Sequence, residues 1–242
     1  MRRRSALITG ASRGLGLTLA DFLAGQGYEL TITGRNEQAL QQARSSLARY
    51  TRVTAVAGDV RDAAHHRALR STIGEKLDLL VNNASELGVT PLPPLAAYDL
   101  EVFREVYETN VIAPLALIQT LLPALQKSGG LVVNISSDAA QAGYPGWGAY
   151  GSSKAALELI GRTLAAELEG VAVVSVDPGD MRTRLHQQAF PGEDISDRPL
   201  PAVTLPFWAW LLGQQAHAVS GLRFEAQADT WQVEEAAVGR SK

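Results

Sequence analysis

The sequence predicts an α/β fold, a doubly wound parallel sheet of about seven strands with helices on both faces. Three observations point there. Short runs of aliphatic and β-branched residues alternate with longer segments whose apolar residues recur at helical spacing, the rhythm of βαβ units rather than of hairpins. Several of the short runs are apolar at consecutive positions, as strands buried on both faces require. The chain has 242 residues, 46% of them hydrophobic and 19% charged, with no internal repeat and no low-complexity linker. That composition excludes a disordered chain and fits a single domain over residues 1–242.

In chain order the expected strands are residues 5–9, 29–33, 53–57, 77–81, 131–136 and 171–177, with 222–226 a weaker seventh. Helical spacing marks 15–24, 37–50, 63–73, 100–125 and 149–169. One stretch breaks the rhythm. From Pro178 to Pro206 the chain is rich in Pro, Asp, Arg and Gln, and it follows a strand end, the edge where open α/β sheets collect ligands. Loops of that length in compact domains are usually functional, so residues 180–206 read as a substrate loop.

Charge and cysteine content narrow the partners. With 22 basic and 25 acidic residues the net charge is −3, which gives no field for nucleic acid or anionic lipid, although Arg2, Arg3 and Arg4 stand together. The absence of cysteine excludes disulfides, zinc-thiolate sites and thiol nucleophiles, and no metal site is expected. After the basic start, Ala6-Leu7-Ile8 ends at Thr9-Gly10, short of the core of an export signal. The apolar stretch 205–212 is too short to cross a bilayer of about 30 Å. These features lead to the expectation of a cytoplasmic protein without membrane or nucleic-acid partners.

The first expected strand runs into Thr9-Gly10-Ala11-Ser12-Arg13-Gly14-Leu15-Gly16, which opens the first helix. Backbone at such a turn must approach a pyrophosphate closely, and the helix N-terminus favours the anion. A tight turn alone also wants glycine. At the end of the second strand a carboxylate would accept from an adenosine ribose 2′-hydroxyl, whereas an arginine accommodates a 2′-phosphate. That strand ends Thr33-Gly34-Arg35-Asn36, with no carboxylate before Glu37. Arg35, with Arg13 opposite, matches a phosphate by bidentate hydrogen bonds, so NADP(H) is favoured over NAD(H).

Tyr150 and Lys154 are four apart in an expected helix and so project from one face. A phenol with an ordinary pKa of about 10 is nearly all protonated at neutral pH, and a neighbouring cation lowers that value. Lys154 supplies such a cation. The strand 131–136 delivers Ser136-Ser137 to the ligand edge, where a hydroxyl could hold a substrate oxygen. Chemistry alone does not choose between the two serines, and either could be a turn or cap residue.

Taken together these motifs resemble the short-chain dehydrogenase/reductase family over about the first 185 residues. Thr9-Gly10-x3-Gly14-x-Gly16 is similar to the family's cofactor turn, Asp59-Val60 to its adenine contact, Asn82-Asn83-Ala84 to its fourth-strand motif, and Pro178-Gly179 with Thr183 to its nicotinamide segment. The resemblance implies a Rossmann-type fold and makes Asn110 the catalytic asparagine, Ser137 the substrate-orienting serine, Tyr150 the acid/base and Lys154 its helper. It further implies hydride transfer between nicotinamide and a ketone or secondary alcohol, with Lys154 on the nicotinamide ribose and Asn110 holding a water. The implied cofactor contacts are Gly10, Ser12, Arg13, Gly14, Leu15, Gly16, Arg35, Asp59, Val60, Asn82, Ala84, Tyr150, Lys154, Pro178, Gly179 and Thr183. A homodimer or homotetramer through helices 100–125 and 149–169 is implied as well. Without the resemblance, Asn110 is a polar residue at a helix kink and Asp59 an N-cap.

The chain departs from the family pattern at Ser85, where glycine is usual, and at Asp180-Met181-Arg182, which is more polar than usual. His65-His66 read as surface histidines, since adjacent helical residues do not face each other. His186 reads as a solvated loop histidine, with substrate contact as the other reading. Trp208 and Trp210 could close the pocket or a subunit contact, although such clusters pack in cores by default. An alternative of a different class is a non-catalytic NADP(H)-binding regulatory protein on the same fold. A sugar-nucleotide epimerase or dehydratase is disfavoured, because such enzymes resemble longer chains.

Overall fold

In the computed structural model, which describes residues 3–233, the aliphatic runs form seven strands. They are β1 (Ser5–Thr9), β2 (Glu29–Gly34), β3 (Val53–Ala57), β4 (Leu79–Asn82), β5 (Leu131–Ile135), β6 (Ala172–Asp177) and β7 (Arg223–Glu225). All pair in parallel in the order β3-β2-β1-β4-β5-β6-β7. The order reverses between β1 and β4, so the crevice beyond their carboxyl ends is the sheet's switch point. The consecutive apolar residues explain the two covered faces. Leu7, Val132 and Val173 join one core cluster, while Ile8, Val133 and Val174 join the other. Successive strand side chains point to opposite faces, so neither face could remain wet without exposing half of these residues.

The helices are α1 (Gly14–Gly25), α2 (Glu37–Leu47), α3 (Ala63–Ile73), α4 (Leu100–Tyr107), α5 (Ala113–Gln126), α6 (Gly148–Glu167), α7 (Arg184–Ala189), α8 (Leu205–Gly213) and α9 (Ala216–Val219). Side chains fix four of their starts: Asn36 accepts from the Ala39 amide at 2.8 Å, Asp62 from Ala64 at 2.7 Å, Asp99 from Glu101 at 2.7 Å and Thr183 from His186 at 3.2 Å. The cap of α3 is therefore Asp62, and Asp59 is left in the preceding turn, paired with Arg61.

The expected helix 100–125 exists with an interruption. A π-helical turn, Glu108–Ile112, separates α4 from α5 and buries Thr109 and Asn110. Leu100–Gln126 is long and apolar enough to span a membrane by length and composition, with 56% of its most apolar window buried inside the protein. Along α5, Leu117, Leu121 and Leu125 pack on β5 and β6 through Val132 and Val173.

Two expectations need correction. His65 and His66 are each only 6% exposed: His65 Nε2 lies 2.7 Å from Thr33 Oγ1, and His66 Nε2 meets the Val60 carbonyl. The reason is that the first turn of α3 tucks under the chain leaving β3, where a side chain at Gly58 would collide with the His65 ring. The segment after Pro178 is partly helical, containing α7 and a 3-10 turn at Pro201–Thr204, and His186 is buried on α7. Trp208 and Trp210 follow the core-packing reading: they pack around Phe207, with Phe224 and Trp231 behind, and neither lines the crevice. Arg2 lies outside the described residues.

Candidate active site

A crevice of about 790 Å³ runs along the carboxyl ends of the strands. One end is walled by the turn after β1, where Gly10, Ser12, Arg13, Gly14 and Leu15 line it, together with Arg35, Asp59 and Val60. The glycines have different reasons. Gly10 has φ +66°, and a Cβ there would lie 2.9 Å from Asn83 Nδ2. Gly16 lies behind the wall, where a Cβ would sit 2.5 Å from the Gly10 carbonyl oxygen. These two glycines thus let the β1 turn nest on the loop after β4. Asn83 secures that nesting by donating from Nδ2 to the Thr9 carbonyl at 2.7 Å. The Thr9 hydroxyl accepts from the Asn83 and Ala84 amides, each at 2.9 Å.

Positive charge gathers at this end. Arg13 is pulled below its ordinary value by burial first and then by the guanidinium groups of Arg184 and Arg35. Sequence reasoning missed Arg184, because only folding of α7 brings it over the glycine turn. Glu86 pairs with Arg35 at 3.3 Å, and both side chains are substantially exposed. No carboxylate stands at the end of β2 itself, as the sequence indicated.

At the other end stand the groups suited to proton transfer. Tyr150 and Lys154 share one face of α6 and are 7% and 1% exposed. Lys154 Nζ donates to the Ile135 carbonyl at 2.8 Å and lies 5.4 Å from the centre of the Tyr150 ring. Burial pushes the ammonium down to about 8. Burial also drives the Tyr150 phenol upward, opposed chiefly by the hydroxyl of Ser85 and then by that of Ser137. This departs from the expectation of a phenol lowered by its lysine. The cation lies over the ring rather than at the oxygen, and desolvation outweighs the rest.

Both serines line the crevice, and their partners separate them. Ser136 turns inward and donates to Glu158 Oε1 at 2.5 Å. Ser137 lines the crevice, donates to Asp138 Oδ1 at 3.0 Å and accepts from the Ala139 amide at 3.2 Å. Asn110 lies behind the wall with its amide fully engaged. Oδ1 accepts from the Glu86 amide at 2.7 Å and Ser85 Oγ at 3.2 Å, while Nδ2 donates to the Glu86 carbonyl at 2.9 Å and Ser153 Oγ at 3.0 Å. All four hydrogen-bonding positions of the side chain are used within the protein. Asn82 is also behind the wall, donating to Asn134 Oδ1 at 2.9 Å. Pro178, Gly179 and Thr183 line the crevice, and Thr183 caps α7.

Trp147 and Phe190 add an aromatic flank beside Tyr150. Sequence reasoning did not select either, since nothing in their local spacing announces a pocket. His186 contacts Phe190, with ring centres 4.9 Å apart.

The sheet order, the glycine turn at its switch point and the buried Tyr-Lys pair define a Rossmann-fold oxidoreductase. A model of the short chain dehydrogenase family matches residues 4–194, and the chain belongs to that family, whose members act on small-molecule substrates. It is 33% identical over 236 residues to the uncharacterised oxidoreductase YciK of Escherichia coli K12, covering 93% of this chain and 92% of that one. It is 35% identical to the rhamnolipids biosynthesis 3-oxoacyl-acyl-carrier-protein reductase of Pseudomonas aeruginosa, over 86% of this chain and 83% of the relative. A short chain dehydrogenase of Shigella flexneri complexed with NADP superimposes with a TM-score of 0.87 at 33% identity, covering 94% of this chain and 98% of that chain. One from Escherichia coli CFT073 complexed with NADPH gives 0.82 at 32% identity, with coverage of 94% and 98%.

Proposed function

We propose that the protein is an NADP(H)-dependent oxidoreductase interconverting a ketone and a secondary alcohol, with Tyr150 as the general acid/base. One observation carries this reading. The phenol of Tyr150, the Ser137 hydroxyl and the buried Lys154 converge on a crevice whose opposite end carries the glycine turn and a cluster of arginines.

The residues present fit the cofactor. Arg13, Arg35 and Arg184 crowd one another with Glu86 as partner to Arg35, and a ribose 2′-phosphate would relieve that repulsion through charge-assisted hydrogen bonds. The NADP and NADPH complexes of the structural neighbours support the same preference. Gly10, Ser12, Gly14 and Leu15 would hold the pyrophosphate, Asp59 and Val60 the adenine, and Pro178, Gly179 and Thr183 the nicotinamide side.

A bound nicotinamide would supply or accept the hydride. Ser137 then hydrogen-bonds the carbonyl oxygen, and Tyr150 gives that oxygen a proton in reduction or takes it back in oxidation. Lys154 would hold the nicotinamide ribose, with its cation over the Tyr150 ring. Asn110 fixes the loop after β4 against α6 and offers its carbonyl to a water. General acid catalysis of this kind contributes about 10²- to 10⁴-fold. Exposed Leu100, Ile112 and Leu159 on the long helices support a homodimer or homotetramer built through them.

The test is NADPH oxidation, followed by absorbance, against a panel of carbonyl compounds that includes 9,10-phenanthrenequinone. Turnover by the wild type and its loss in Tyr150→Phe support the reading; equal turnover by the two defeats it.

A further inference from the structure

We propose that the substrate is an aryl ketone without negative charge, held through its ring by Trp147 and Phe190. The inference rests on the assignment of Tyr150 as acid/base and names the chemical class that this site accepts.

The rings step away from the phenol in order. The Trp147 ring lies with its centre 5.7 Å from that of Tyr150 at an interplanar angle of 70°; Phe190 follows at 6.1 Å from Trp147, and His186 at 4.9 Å from Phe190. Two elements deliver them. Trp147 directly precedes α6, which carries the phenol, and Phe190 directly follows α7, so the pair forms only when the segment after Pro178 folds over the site. Both line the crevice and both are half-buried, whereas Leu87, Ala139 and Ala189 in the same cluster are buried. Each ring therefore has one part fixed by packing and another open to a ligand. Aromatic pairs gain edge-to-face or offset contact at centre separations of about 4.5–7 Å, beyond the area they bury. An aliphatic group covers the same area without that contact.

Charge sets the second half of the class. Asp138 adjoins Ser137, the hydroxyl assigned to the substrate oxygen, and lines the crevice. Its Oδ1 accepts from Ser137 Oγ at 3.0 Å and its Oδ2 from the Tyr144 hydroxyl at 3.0 Å, and among the described residues it forms no ion pair. Asp177 and Asp180 line the crevice as well, but Arg223 pairs with the first and Arg198 lies 3.5 Å from the second. The arginines lining the crevice, Arg13, Arg35 and Arg184, gather at the cofactor end, and Lys154 is held by the Ile135 carbonyl. A carboxylate beside the ketone would thus meet like charge at Asp138 with no cation to pair it.

The test compares three ketones at saturating NADPH: methyl phenylglyoxylate, methyl cyclohexylglyoxylate and phenylglyoxylate. The ratio of kcat/KM for the phenyl ester over the cyclohexyl ester should fall about threefold to tenfold in Phe190→Leu and stay with wild type in Phe190→Tyr, which keeps the ring. Both esters are read on one sample, so a loss of folded enzyme cancels in the ratio. In wild type the phenyl ester should exceed phenylglyoxylate in kcat/KM by about fivefold or more, and that gap should narrow as salt rises from about 0.05 M to about 0.5 M. An intrinsic difference in reactivity would not respond to salt. An unchanged ratio in Phe190→Leu, equal use of the anion and its ester, or no reduction of the phenyl ester by wild type overturns the proposal. If the ratios stay fixed while Tyr150→Phe is inactive, the substrate class alone is misassigned. A fully active Tyr150→Phe instead removes the acid/base reading beneath it.

Discussion

Lys154 shows what a single residue costs and contributes. Its ammonium is buried against the Ile135 carbonyl, and folding lowers it from its ordinary 10.5 to about 8. A cation whose folded pKa is depressed binds fewer protons folded than unfolded, so stability rises with pH between those values. The penalty is present in full below about 8 and gone above 10.5. Lys154→Met is therefore expected to stabilise the fold by about 2 kcal/mol near neutral pH, while NADPH-dependent turnover is lost. Urea unfolding at several pH values checks this, and the gap should close as pH rises through that window. Arg35 is the matching residue at the cofactor end. Loss of a charge-assisted contact worth about 1.5–3 kcal/mol should raise KM for NADPH about tenfold to a hundredfold in Arg35→Ala. KM for NADH should change little, because it offers no 2′-phosphate.

At the scale of elements, the π-helical turn between α4 and α5 decides where the wall of the site lies. It directs Asn110 inward to make four hydrogen bonds with the loop after β4 and with α6. Asn110→Ala leaves the Glu86 amide and carbonyl and the Ser153 hydroxyl short of partners, and is expected to cost about 3 kcal/mol. The urea midpoint of the apo protein checks it. This is also where the sequence was hardest to read. The apolar spacing of residues 100–125 continues through the interruption, so periodicity sees one helix, and Asn110 stands out only through resemblance to the family. By contrast, β1 begins and ends where its aliphatic run does, because a short parallel strand buried on both faces leaves no alternative, and the edge strand β3 keeps the bounds of its run although Thr54 and Ala57 are exposed. His65 and His66 were misjudged since their burial comes from the chain leaving β3, which helical spacing does not register.

Across the whole molecule, one buried ionic cluster joins the last strand to the site. Arg223 on β7 donates to Glu158 on α6 at 2.9 Å and to Asp177 at the end of β6 at 2.8 Å, and Glu158 holds Ser136. Burial raises Asp177, opposed by the Gly179 amide and by Arg223. Arg223→Met leaves two buried carboxylates without their shared cation, and a loss of about 2 kcal/mol or more is expected. Protonation relieves that loss, so the difference from wild type in urea unfolding should narrow as pH falls through the range in which Asp177 takes up its proton, which burial sets above the ordinary aspartate value. No local pattern reveals this cluster, since its members lie far apart in sequence and meet only once the sheet is complete. The glycine turn, Arg35 and the Tyr150-Lys154 spacing were legible because each is local to one turn or one helix face.

The most direct test of the central claim measures two quantities on one variant. In Tyr150→Phe, NADPH affinity by fluorescence titration should stay within about twofold of wild type, since the hydroxyl serves proton transfer, while carbonyl-dependent NADPH oxidation should fall by about 10²-fold or more. Retained oxidation alongside retained binding would contradict the account.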